Sequence, residues 1–159
     1  MPTGNFKVKA SDQGAMRALQ RLRDTFGDLR PALSNAAKEL TRRVYYRFTF
    51  KRDPDGNRWA PWARSTSEKY AGDSRRKLML HTRQLRDNTR FEAGRKDLRA
   101  VIGMPYGKYH EQPTGAGSRL PRRAFLFSRR NGGRALAKSD EQYLFNALRY
   151  QIRKAAAGR

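Results

Sequence analysis

The chain has 159 residues, 37% of them hydrophobic, which suits one domain (residues 1–159) around a lean core. Thirty-six Lys and Arg against 14 Asp and Glu give a formal net charge of +22, which calls for a polyanionic or acidic partner. The absence of cysteine excludes disulfides and thiolate zinc sites, and with no leader-like or bilayer-length apolar run a soluble chain without membrane contact is expected.

In chain order the pattern predicts an α+β fold, with N-terminal helices and a C-terminal helix packed on a small, mainly antiparallel sheet. Phe6, Val8 and Ala10 alternate with lysines and predict a short strand. Ser11 is placed to cap a helix carrying Met16, Leu19, Leu22 and Phe26, which Gly27 stops. Asp28 and Pro31 open a second helix, with Leu29, Leu33, Ala37, Leu40, Val44 and Phe48 as its apolar stripe. Lys38, Arg42, Arg43 and Arg47 are assigned to its opposite, polar face. Asp53-Pro54-Asp55-Gly56-Asn57 is a strong turn signal, and both tryptophans, Trp59 and Trp62, follow it directly. Ser65 to Glu68 reads as a capping box opening a short helix.

Phe91 and Ala93, then Leu98, Ala100 and Ile102, alternate around Gly94–Asp97 and predict a β-hairpin. Residues 104–122 are rich in Gly, Pro and Thr and predict a long mobile loop. Ala124–Phe127 reads as a strand, placed at a sheet edge by Pro121, with Phe125 buried. Ser139 and Gln142 mark a second capping box, opening a last helix lined by Leu144, Leu148 and Ile152. Residues 155–159 are expected to fray.

Signals for chemistry are sparse. His81 and His110 are the only histidines, and the acidic residues are scattered among arginines rather than clustered as metal ligands. His110 and Glu111 are adjacent in sequence, so they do not converge on one metal. Gly103 and Gly107 lack the Gly-Lys-Ser/Thr that completes a phosphate loop. No catalytic, metal or cofactor residue is assigned, and the chain is read as a non-enzyme without cofactors. Among the basic groups, Arg42 and Arg43, Arg47, Arg75 to Lys77, Arg122 and Arg123, and Arg129 and Arg130 are each readable as solvated surface. Together they point to DNA phosphates or an acidic protein. Charge alone leaves a sequence-independent nucleic-acid-binding protein as the alternative.

Four stretches in order resemble the phage virion morphogenesis family, the tail-completion proteins of Mu-like and related tailed phages. They are Phe50–Trp59 continuing to Trp62 and Thr66; Leu78–Leu85; Val101–Gly103 with Tyr106, Tyr109, His110, Glu111 and Gln112; and Leu120–Leu126. Two positions depart from the family pattern: Arg83 stands where glycine is usual, and Pro113 follows Gln112. The resemblance implies a structural protein of the virion neck at the top of the tail, assembled in the host cytoplasm. It implies a homo-oligomeric ring, a hexamer, that completes or terminates the tail and enables head–tail joining. Its implied neighbours are the tail tube or tail terminator, the head–tail connector, and genomic DNA in the lumen. The interface candidates are Trp59, which also closes one end of the core, Trp62, Tyr106, Tyr109, His110, Pro121, Arg123, Phe125 and Leu126. Arg42, Arg43, Arg47, Arg75, Arg76, Lys77, Arg122, Arg129 and Arg130 are candidates for facing DNA or an acidic partner.

Overall fold

A computed structural model describes residues 13–112 and 120–157. Among them are seven helices and one two-stranded antiparallel sheet, an α+β arrangement. The strand expected at Phe6–Ala10, the Ser11 cap and residues 113–119 of the expected loop lie outside the described residues. So do the side chains of Met16, Leu19 and Leu22 on helix α1 (Gln13–Gly27).

Helix α2 (Arg30–Phe50) is the spine. The Asp28 carboxylate accepts the Arg30 amide at 2.9 Å, and Pro31 sits in the first turn, where no amide is needed. Leu33, Ala37, Leu40, Val44 and Phe48 are buried, as their spacing predicts. Lys51 ends the helix in left-handed backbone at φ 54°, and its amide closes onto the Arg47 carbonyl. The expected turn follows at once. One Asp53 carboxylate oxygen accepts the Asp55 and Asn57 amides at 3.0 and 2.8 Å, and Gly56 supplies φ 89°. Arg52 and Arg58 then pair in an isolated antiparallel bridge.

Helix α3 (Arg64–Lys69) forms without the expected capping box. It begins two residues early, with Ala63 as its cap, so Ser65 is already helical, and Glu68 pairs with Arg64 at 2.7 Å instead of reaching back to a cap. Helix α4 (Gln84–Asp87) buries Leu85 against the core. The hairpin is present as β1 (Arg90–Ala93) and β2 (Leu98–Val101), with Phe91 opposite Ala100. Thr41 of α2 accepts the Phe91 amide at 2.9 Å, tying the sheet to the spine.

Part of the expected loop is ordered. Helix α5 (Gly107–Glu111) occupies it, with Gly107 buried where a Cβ would collide with Ile102 and Leu85. A single turn, α6 (Arg130–Gly133), has left-handed backbone at Asn131 and Gly132. Helix α7 (Lys138–Ala157) packs on α1 and α2 and runs three residues into the segment expected to fray. The core gathers Leu40, Val44, Phe48, Phe125 and Leu126, all fully buried, with Trp59, Leu85 and Phe91 around them.

The expected strand at Ala124–Phe127 does not form. Ala124, Phe125 and Leu126 are all buried rather than alternating between two faces, and the segment bends. Its amides are satisfied by a side chain instead of a neighbouring strand. The Glu111 carboxylate accepts Phe125 at 2.8 Å, Phe127 at 2.7 Å, and Leu126 at 3.2 and 3.3 Å.

Candidate functional site

Residues 121–128 are held from every side by polar groups, which decides which predicted residues are available at the surface. Phe125 and Leu126 are fully buried in the core, so neither is available for a subunit contact. Arg123 is buried and donates to the carbonyls of Ala60 and Pro61 at 2.9 and 2.7 Å. The Trp59 indole N–H donates to the Ala124 carbonyl at 2.8 Å, and its ring meets Phe48 edge-on at 5.3 Å. Trp59 therefore works as a core residue. Arg122 is equally committed, donating to the carbonyls of Glu111 and Phe127 at 2.7 and 3.0 Å.

Arg47 is the largest departure from the sequence reading. Far from lying on a polar face, it is buried and ion-paired with Asp140 of α7, while also donating to the Phe125 carbonyl at 3.0 Å. Position 47 falls between Val44 and Phe48 on the apolar stripe, and a buried carboxylate compensates its charge. Arg43 reaches the same Asp140 at 3.0 Å and Glu39 at 3.0 Å, so it too is spoken for inside the molecule.

Burial pushes the Glu111 carboxyl above its ordinary value, against the opposing pull of the three backbone amides. Burial, helped by Arg123, holds the neighbouring His110 imidazole below its ordinary value, and His110 Nδ1 is buried without a hydrogen-bond partner. Among the described residues no group of His, Asp and Glu is arranged to hold a metal ion.

What remains exposed is organised around Trp62. Its half-buried ring packs against Tyr70 at 5.7 Å between centroids. Three cavities adjoin it. One of about 410 Å³ brings Trp62 together with Tyr106, His110 and Arg123, four residues singled out from sequence. A second, of about 590 Å³, adds Pro121 and Leu120. The third, of about 550 Å³, has Trp59, Pro61, Trp62, Leu78 and Phe50 among its walls, with Arg76 and Lys77 at its edge. A further cavity of about 710 Å³, against the end of α2, is lined by Lys51, Arg75, Lys77, Arg83 and Arg86 and by no carboxylate.

The other candidates are scattered. Tyr109 is exposed, as are Arg42, paired with Glu39 at 2.7 Å, and Arg129, 3.7 Å from Asp53. Arg130 pairs with Glu141 at 2.9 Å, and none of these lines the cavities beside Trp62. Sequence reasoning missed Lys51, Arg52 and Arg58. Lys51 and Arg52 precede the Asp53–Asn57 turn and Arg58 follows it, and pairing the turn as a hairpin would have brought the two arginines together.

Among the described residues no helix is long and apolar enough to cross a membrane. Comparison with curated proteins and with solved structures gives no match. Residues 10–152 match the model of the phage virion morphogenesis family, a span that contains the spine, the hairpin, the Trp62 surface and the Glu111 cradle. The chain belongs to the phage virion morphogenesis family, and its role is structural, in assembly of the phage virion.

Proposed function

We propose that the protein acts at the virion neck, completing the tail and enabling head–tail joining as a ring of identical copies around the DNA channel. The observation that supports this most is the surface around Trp62. An aromatic ring stands among three adjoining cavities, on a chain whose strong positive charge favours association with acidic neighbours over life as a free monomer. Proteins at such a position build rings from head-to-tail contacts that close by rotation. Large exposed rings elsewhere, Phe145 and Tyr150, are further surface for subunit contacts.

The cavity of five cations at the end of α2 favours a second reading, sequence-independent binding of nucleic acid. Removing the gene separates the two. Under the neck reading, particles stall as DNA-filled heads and separate tails, with genome replication unaffected. Empty heads, or impaired replication with normal joining, would overturn it in favour of the nucleic-acid reading.

A further inference from the structure

We infer that the cavity beside Trp62, between the end of α2 with its Arg52–Arg58 bridge and the Arg76–Leu78 segment, is a docking site for an acidic segment with an aromatic or apolar anchor, carried by a neighbouring virion protein. This deepens the joining reading by naming the chemistry of the partner.

The cavity has two chemically distinct parts. Its walls are Trp59, Pro61, Trp62, Leu78 and Phe50, apolar groups that gain by excluding water. Its edge is Lys51, Arg52, Arg58, Arg76 and Lys77, and no carboxylate lines it. Most arginines described so far have a carboxylate partner, but among the described residues Lys51, Arg52, Arg58 and Lys77 form no ion pair. Arg52 and Arg58 are paired in the β-bridge, where like charges on opposite residues repel; Arg52 Nη1 donates to the Gly56 carbonyl at 2.8 Å, which leaves its charge uncompensated.

The turn's own acids do not relieve this repulsion. Asp53 is spent on the turn amides and lies near Arg129, while Asp55 accepts the Ser128 hydroxyl at 2.9 Å and the Arg129 amide at 3.0 Å. Neither forms an ion pair with the cavity's cations. An incoming carboxylate would remove the Arg52–Arg58 repulsion, and an apolar side chain beside it would cover the wall. A duplex would satisfy only the first demand, because its bases are stacked on one another and its phosphate backbone gains nothing from an apolar wall. A second copy of this chain carries the same net positive charge and suits these cations less well than an acidic partner, which leaves the other two cavities beside Trp62 for contacts between identical copies.

The test uses the full-length chain and three probes. They are a peptide of about twelve residues with one central phenylalanine among aspartates and glutamates, the same peptide with serine for phenylalanine, and a short DNA duplex. Tryptophan fluorescence reads binding directly, since Trp59 and Trp62 are the only tryptophans. The phenylalanine peptide should bind at least about tenfold tighter than the serine peptide, as an aromatic anchor in a pocket implies. Trp62→Ala should abolish that preference, and Arg58→Gln and Lys77→Gln should weaken both peptides severalfold. Arg58 and Lys77 are exposed, so these two variants report on the site independently of any folding defect in Trp62→Ala.

Equal binding of the two peptides would overturn the inference. So would a duplex that displaces the phenylalanine peptide at about 0.15 M salt, or a change of oligomeric state in Arg58→Gln without peptide, which would assign the cavity to a second copy. Peptide binding as expected, in a protein dispensable for joining heads to tails, would uphold the inference and overturn the joining reading.

Discussion

Replacing Glu111 by glutamine tests whether one side chain stands in for a missing strand. The carboxylate takes Phe125 and Leu126 on one oxygen and Leu126 and Phe127 on the other. Glutamine keeps a single acceptor oxygen, so at least one buried amide must face an NH₂ group. A hydrogen bond to a charged group contributes about 1.5–3 kcal/mol, and an unsatisfied buried amide costs about 1–3 kcal/mol. Against this, glutamine no longer buries a charge, the effect that pushes the Glu111 carboxyl up. The expected net loss is about 2–3 kcal/mol, a large share of the roughly 5–15 kcal/mol typical of a domain. Urea unfolding followed by tryptophan fluorescence reads the loss, and native-state hydrogen exchange should show the amides of Phe125 to Phe127 losing protection first. An unchanged midpoint, with all three amides protected as in the parent, would refute the reasoning.

Two more outcomes follow from other residues. Burial and Arg123 hold His110 below its ordinary pKa of 6.5, so the unfolded chain takes up that proton first. Stability from this source is present above about pH 6.5 and lost as pH falls toward the folded value. Denaturant midpoints measured down to about pH 5 should fall in the parent and fall less in His110→Leu. Arg83 has left-handed backbone at φ 60°, which strains any residue except glycine. Arg83→Gly should raise the melting temperature, with a gain of up to about 1 kcal/mol; a lower melting temperature would mean that the arginine side chain contributes more than the backbone strain removes.

Where local chemistry decided the structure, the sequence was readable. Pro31 and the 3.6-residue spacing of Leu33 to Phe48 marked α2, and Asp53 to Asn57 marked the turn, because each depends on neighbours in the chain. The Ala124–Phe127 segment was not readable, because its amides are answered by Glu111 and its carbonyls by Trp59 and Arg47, far away in sequence. An apolar run with distant polar partners looks like a strand until those partners are in place. Arg47 misled for the opposite reason. Its position on the stripe was visible, but its charge implied exposure until Asp140 supplied the compensation from α7. The Trp62 surface was legible in part, since its aromatic members stand out, while Lys51, Arg52 and Arg58 gain meaning only when the turn brings them together.

The bonds that secure Glu111 also shape how the chain can change. The His110 carbonyl accepts the Arg123 amide at 2.9 Å, and the Glu111 carbonyl accepts Arg122 Nε at 2.7 Å. Departure and return points of residues 113–119 are thus clasped by groups that belong to the core, so the clasp does not depend on what lies between them. Lengthening a connection between two fixed points costs only about 0.6 kcal/mol for each doubling of its length. Evolution, or an engineer inserting an epitope, can lengthen this stretch while the rest of the architecture stays in register.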